Sequence, residues 1–197
     1  MPIYFTIAYV VFFIFAIGNR YRMRREVLRK DKIPGKVKAA WTATAMFVFY
    51  HIIAYGSLIE FFLAKRTINY LITAIGLSIY LFGVIARGWA VKTLDRYWSL
   101  NVEIRENHPL IKTGPYRYLR HPNYFCHSLE ILGFPLIPNA YYMFGFAVIF
   151  YLPVIFIRIY LEEKELIKKF GQAYKDYQKE VWGISPFPLF KKGVKNA

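Results

Sequence analysis

Three groups of residues in this chain have types and spacings that can do chemistry. In the first, Arg120, His121, Pro122, Asn123 and Tyr124 close the stretch 108–124, HPLIKTGPYRYLRHPNY, which is polar and cationic against a strongly apolar background. An apolar run follows at once, and proline suits the first position of a helix. The unpaired N–H groups and positive dipole end of such a helix favour a polar ligand. In the second group, His127 and Glu130 are three residues apart and share a helical face. That arrangement serves a proton-transfer pair opening on a substrate cavity, because histidine titrates near neutrality and a desolvated glutamate has a raised pKa. It also serves a hydrogen-bonded pair between helices, with His51 or Glu60 as partner. In the third, Arg158 ends an apolar run, Glu162 follows four residues later on the same face, and Glu163 lies beside it. An ionised residue at membrane depth costs at least about 2.5 kcal/mol unless it faces protein or a wet cavity, which makes Arg158 a functional candidate. The alternative is an arginine that snorkels to the interface and pairs with Glu162.

Composition says what must position these groups. The chain has 197 residues, 56% hydrophobic and 20% aromatic, yet carries a net charge of +15 from 27 basic residues. A nucleic-acid binder with this charge needs a basic stripe on a folded polar surface, whereas here the basic residues cluster between apolar runs. That pattern fits an integral membrane protein whose basic loops lie on an anionic leaflet. The single cysteine, Cys126, excludes an internal disulfide framework and a cysteine-based zinc site, and reads as a small buried residue. There is no glycine-rich phosphate loop, no HExxH pair and no serine nucleophile elbow, so no metal site is expected.

Apolar runs predict spans at 3–17 (short, and so extending toward Met1 and Asn19), 41–63, 68–91, 123–137 and 141–159, against the length of about 20 residues that a bilayer requires. The first lacks a cleavage site and reads as a retained helix of signal-anchor type. The last two are joined by Pro138-Asn139-Ala140, a link short enough for an antiparallel hairpin. The loop after the first span carries nine basic residues between Arg20 and Lys38 against Glu26 and Asp31, so the positive-inside rule makes it cytoplasmic, together with 92–120 and the tail. The tail over 160–181 places Leu161, Leu166, Ile167, Phe170, Tyr174, Tyr177 and Val181 at helical spacing, an amphipathic helix with a bend at Gly171. Trp41, Trp89, Trp98 and Trp182 fall near interfaces, the usual place for tryptophan anchors. The expected fold is therefore an all-α integral membrane bundle of about five transmembrane helices with a cytoplasmic pocket and an amphipathic C-terminal helix. It forms one domain over 1–197, with three spans in 1–91 and the functional region in 92–197.

Taken together, 108–124, Arg158-xxx-Glu162-Glu163 and Phe170-Gly171-xx-Tyr174-xx-Tyr177 resemble the isoprenylcysteine carboxyl methyltransferase family and its prokaryotic relatives. The resemblance runs from about Trp98 to Val181, and the earlier spans match in hydropathy alone. It implies a multi-pass membrane methyltransferase that uses S-adenosylmethionine in a cytoplasm-facing pocket without a Rossmann domain. By the same resemblance His108, Pro109, Leu110, Ile111, Tyr116, His121, Pro122, Asn123, Tyr124 and Glu162 line the cofactor pocket, and Arg158 holds substrate. Asn101 stands where eukaryotic members have a glutamine, a departure for which nearby Glu103 is a substitute. Phe125, where a glycine is common, and Glu130 resemble bacterial relatives that methylate alkylpyrones.

The residue chemistry agrees with what the resemblance implies. A sulfonium cofactor with an amino-acid head and an adenine needs donors, a carboxylate and aromatic walls. Methyl transfer from it needs alignment and water exclusion rather than a metal. A carboxylate acceptor is held by Arg158 without a base. A phenolic or enolic hydroxyl would give His127 and Glu130 a role. The expected function is O-methylation of a lipophilic acceptor, either a prenylcysteine carboxylate or an alkylpyrone-like hydroxyl, with membrane lipid and no nucleic acid as partners. A non-catalytic membrane scaffold and a small transporter are the other classes, the latter disfavoured by the lack of inverted repeats.

Overall fold

The computed structural model describes residues 2–29, 35–64, 66–105 and 109–184, with backbone alone at 26–29, 35, 36, 104 and 105. Helix α1 is Ile3–Arg29, α2 is Ala40–Ala64, α3 is Tyr70–Leu94 and α4 is Pro122–Leu136. A continuous helical run follows, made of α5 (Tyr141–Phe146), one π turn (Ala147–Tyr151) and α6 (Leu152–Phe170), and α7 (Gln172–Glu180) comes after the bend at Gly171. Among the described residues four stretches are long and apolar enough to cross a membrane: Ile3–Arg25, Ala40–Ala64, Tyr70–Tyr97 and Tyr141–Phe170. Their outer faces carry large exposed apolar side chains such as Ile14, Ile59, Ile85 and Ile149, as lipid requires. The chain is a helical integral membrane bundle, as its hydropathy predicts.

Two elements differ from the pattern read in the sequence. The expected fourth span, α4, has only 15 residues, too few for the hydrocarbon core, and most of its side chains are buried inside the bundle. The expected fifth span and amphipathic tail are one helix as far as Phe170, so the return path is 30 residues long. Within it the π turn precedes Pro153, which has no N–H for the carbonyl one turn back; the extra residue absorbs that mismatch.

The tightest packing joins α3 to α4. A Cβ on Gly83 would lie 2.8 Å from the Cys126 carbonyl and 2.9 Å from the Glu130 nitrogen, and one on Gly133 would lie 2.7 Å from both the Gly76 carbonyl and the Tyr80 nitrogen. Backbone therefore meets backbone from both sides. Helix α1 is held differently, through aromatic rings: Tyr9 on Phe61 at 5.0 Å between centroids, and Phe12 on Tyr80 at 5.1 Å. At the end of the bundle away from Arg20, Asn139 adopts a left-handed conformation (φ 60°), which asparagine tolerates, and its side-chain oxygen accepts from Asn69 N–H at 2.6 Å. Asn69 in turn caps α3 by accepting from Leu71 and Ile72. Glu60 of α2 accepts from the N–H groups of Tyr142 and Met143 at the start of α5 and pairs with Arg66 at 3.0 Å.

Two short strands, β1 (Gly35–Lys38) and β2 (Val102–Arg105), pair antiparallel with Lys38 opposite Val102. At four residues each, their alternation of apolar and polar residues is too short to stand out as a strand signal in the sequence. The ribbon ties the loop after α1 to the segment after α3.

Overpacking at the glycine seam gives a direct test. Gly83→Val is expected to lower stability by about 2 kcal/mol or more, read as a lower thermal midpoint in detergent, whereas Gly88→Ala, where an added Cβ meets nothing within 4 Å, is neutral or slightly stabilising. Equal midpoints for the two variants would contradict the seam.

Candidate functional site

The loop before α4 is fastened from below by the chain's C-terminal part. Arg120 and His121 donate their backbone N–H groups to the carbonyls of Trp182 and Gly183, at 2.7 and 3.1 Å. The Arg120 guanidinium donates to Gln178 O and Val181 O and bonds Glu163 at 2.9 Å. Glu163 also faces the His121 ring nitrogen at 3.1 Å and accepts from Gln178. Tyr177 donates its hydroxyl to the Tyr116 carbonyl. Burial pushes the Tyr177 phenol up to about 12 and raises that of Tyr116, so both hydroxyls stay protonated donors at neutral pH. Glu163 is thus a structural clasp, and the adjacent Glu162 is turned the other way.

Above this clasp lies an open pocket enclosing about 930 Å³, counting the space at its mouth. The 94–103 segment contributes Tyr97, Trp98, Asn101 and Glu103, the loop contributes Leu110, Ile111 and Tyr116, and α4 contributes Asn123 and Tyr124. Glu162, Leu166 and Phe170 of α6 and Tyr174 and Tyr177 of α7 complete it. Glu103 accepts from the Ser99 hydroxyl at 2.6 Å. The wall therefore combines carboxylates, amide groups and several rings.

Tyr124 is the hinge between this pocket and a second one. Its hydroxyl donates to Glu162 at 2.5 Å and accepts from Arg158 Nε at 2.7 Å. The other two nitrogens of Arg158 donate to the Thr42 hydroxyl at 3.0 Å and to the Leu100 carbonyl at 2.6 Å. Arg158 is buried and so does not snorkel to water; it joins α2, α4, α6 and the 94–103 segment at one point. Glu162 meets it through the tyrosine hydroxyl.

The second cavity, about 1170 Å³ with its open part, shares Trp98, Ser99, Asn101, Asn123 and Tyr124 with the first. Its remaining wall is apolar side chains of α1 and α2, such as Met23, Met46 and Phe47, together with Arg20, Arg24, Arg87, His127 and Arg158. Under it runs a buried polar chain. Arg87 donates to both oxygens of Glu130, at 3.1 and 3.4 Å, and to Asn123 at 3.2 Å. Arg20 reaches His127 Nε2 at 3.1 Å, and Tyr151 reaches the same nitrogen at 2.6 Å. A guanidinium can only donate, so Nε2 accepts and the proton sits on Nδ1, which faces Glu130 at 3.4 Å.

Among the residues expected from the sequence, Asn101, Glu103, Leu110, Ile111, Tyr116, His121, Asn123, Tyr124 and Glu162 line the first pocket. Pro109 is exposed beside it, Pro122 is buried as the first residue of α4, and His108 lies outside the described residues. Arg158 and His127 face the second cavity, while Glu130 borders a smaller recess beneath it. The partners of His127 and Glu130 are Arg20, Arg87 and Tyr151, not His51 or Glu60. His51 instead bonds the Phe47 carbonyl and Tyr21. Arg87 was findable by the rule that singled out Arg158, a cation inside an apolar run. Arg20 was hidden among the basic residues that follow it, and Trp98, read as an interface anchor, lines both cavities.

Comparison with known proteins agrees with this geometry. Residues 74–168 match the model of the isoprenylcysteine carboxyl methyltransferase (ICMT) family. A protein-S-isoprenylcysteine O-methyltransferase of Dictyostelium discoideum is 34% identical over 117 residues, 57% of this chain and 48% of that protein. An uncharacterised protein of Bacillus subtilis is 38% identical over 82 residues, 42% of this chain and 49% of that one. The chain thus spans about half the length of these relatives. The solved structure of the eukaryotic intramembrane Ras methyltransferase of this family superposes with a TM-score of 0.64 at 29% identity, over 72% of this chain and 53% of that one. Shared sequence over 74–168 and a shared membrane fold make this chain an integral membrane protein similar to the isoprenylcysteine carboxyl methyltransferase family.

Proposed function

We propose that this chain is an S-adenosylmethionine-dependent O-methyltransferase acting on a lipophilic acceptor such as the carboxylate of a prenylated cysteine. The observation that carries this reading is the pair of adjoining cavities, one polar and ring-lined, the other apolar and arginine-lined, that share Asn123 and Tyr124 as a common wall. A donor and an acceptor held on the two sides of that wall are brought together as methyl transfer requires.

The first pocket fits S-adenosylmethionine by its donor set. Glu162 and the rings of Tyr97, Trp98, Tyr116 and Phe170 suit a sulfonium cation and a flat base, and Asn101, Asn123 and His121 suit an amino-acid head. When bound, S-adenosylmethionine supplies an electrophilic methyl group on a cationic sulfur. The protein's part is to orient and to exclude water. Tyr124, fixed between Arg158 and Glu162, sets the spacing of the two sites. Arg158 retains N–H groups beyond those given to Tyr124, Thr42 and Leu100, and these would steer an acceptor oxygen. The basic residues Arg20, Arg22, Arg24 and Arg25 stand at the same end of the bundle as both cavities, which supports a cytoplasmic site by the positive-inside rule.

The carboxylate acceptor is favoured over an enolic one by the state of the nearest candidate base. Glu130 is held by Arg87, and the Nε2 lone pair of His127 already accepts from the protein, so neither is free to take a proton. An acceptor that is already anionic needs no base.

S-adenosylhomocysteine is expected to raise the thermal midpoint of the purified protein by about 5 °C at saturation, and Glu162→Ala to remove both the shift and turnover. A scaffold or transporter predicts no shift. Arg158→Ala should lose turnover while keeping most of the shift; full activity in both variants would sink the assignment. Glu130→Gln should cost about 3 kcal/mol of stability through the stranded Arg87 charge, with the pH dependence of the residual rate unaltered. A rate that loses its pH dependence would restore Glu130 as a base.

A further inference from the structure

We infer that Arg20, on α1 and outside the residues 74–168 that carry the family likeness, is the residue that selects an acidic acceptor over a neutral one of the same shape. This rests on the reading of the second cavity as the acceptor site. The cations around that cavity are not equivalent. Arg87 has its carboxylate in Glu130. Arg158 has every nitrogen engaged by protein oxygens and reaches Glu162 through Tyr124. Arg20 has no carboxylate within ion-pair distance among the described residues. Its contacts are the His127 ring nitrogen at 3.1 Å and the face of Tyr50 at 4.8 Å.

The contact with His127 is a weak hold. A neutral imidazole has one lone pair at Nε2, and Tyr151 reaches it at the shorter distance of 2.6 Å. Arg20 is only partly exposed, so its charge lacks full hydration, and the wall it shares carries four arginines and no aspartate or glutamate among the described lining residues. An anion in the cavity would supply the missing counter-charge, and a planar guanidinium receives a carboxylate through two parallel hydrogen bonds. The apolar part of the same cavity, Met23, Met46 and Phe47, belongs to the membrane-spanning helices α1 and α2 and would take a single hydrocarbon tail. The ligand class is therefore a single-tailed lipid acid.

The test uses the full-length protein in phosphatidylcholine nanodiscs at alkaline pH, with hexadecanoate and hexadecanamide as probes that differ only in charge and hydrogen bonding. Wild type is expected to bind the carboxylate at least about 10-fold more tightly than the amide, and Arg20→Gln to raise the carboxylate Kd by about 30-fold while leaving the amide Kd unchanged. Equal affinities in wild type, or a preference that survives in Arg20→Gln, overturn the inference. Arg20→Lys, which keeps the charge but not the planar fork, should retain a reduced preference; it stands in if the glutamine variant does not fold, and unchanged carboxylate affinity in it would overturn the two-bond recognition of the acid. S-adenosylhomocysteine binding is measured in parallel and should be the same in wild type and variant. Its absence in wild type alongside an Arg20-dependent charge preference would remove the methyltransferase reading and leave the lipid-acid site standing.

Discussion

A charge placed inside a membrane bundle has to be met by another, and the pairing of Arg87 on α3 with Glu130 on α4 is where this protein satisfies that demand. The pair forms only because α3 and α4 approach to backbone contact, and they do so because residue 83 has no side chain to keep the Glu130 turn away. Once α4 is fixed there, its first turn presents Asn123 and Tyr124 to the two cavities, and His127 lies under Arg20. The common wall between the cavities, the orientation of Tyr124 and the neutral state of the imidazole are therefore consequences of one ion pair and one missing Cβ.

The polar end of the molecule is then closed by a second, shallower arrangement. Glu162 and Glu163 are neighbours in sequence but point to opposite tasks. The first looks into the pocket and is reached by Tyr124; the second gathers Arg120 and His121 of the loop and Gln178 of α7. A helix places successive residues about 100° apart, so one acidic dipeptide can serve a binding wall and a structural clasp at the same time. The clasp holds the loop of 109–121 against α7, which makes the pocket floor depend on the C-terminal part of the chain.

Much of this was readable from residues alone, for physical reasons. Apolar runs of about 20 residues have few alternatives to spanning helices, Pro122 marks the start of α4, and Gly171 with φ of 55° ends α6 where a bend was expected. The segment 108–124 announced a polar site by its cationic and polar residues ahead of an apolar run, and Glu162 by standing four residues after Arg158. What stayed illegible was relational. Nothing local distinguishes Arg20 from its basic neighbours. The pairing of β1 with β2 joins two four-residue segments far apart in sequence. That α4 is surrounded by protein was concealed because an apolar run buried by protein resembles one buried by lipid. The outside partners of His127 and Glu130, namely Arg20, Arg87 and Tyr151, came from three other helical segments, and only packing could select them.

The π turn at Ala147–Tyr151 has an effect that reaches beyond its five residues. One surplus residue rotates everything after it by about a quarter turn relative to a regular helix. With it, Tyr151, Val154, Ile155 and Arg158 form a single inward stripe, while Phe150, Phe156 and Ile157 stay outside. A regular helix through the same sequence would carry that stripe round toward the lipid and take Arg158 and Glu162 away from Tyr124. The angular phase of the return helix, set by one proline and one added residue, is thus what aims a span of otherwise ordinary hydrophobicity at the site.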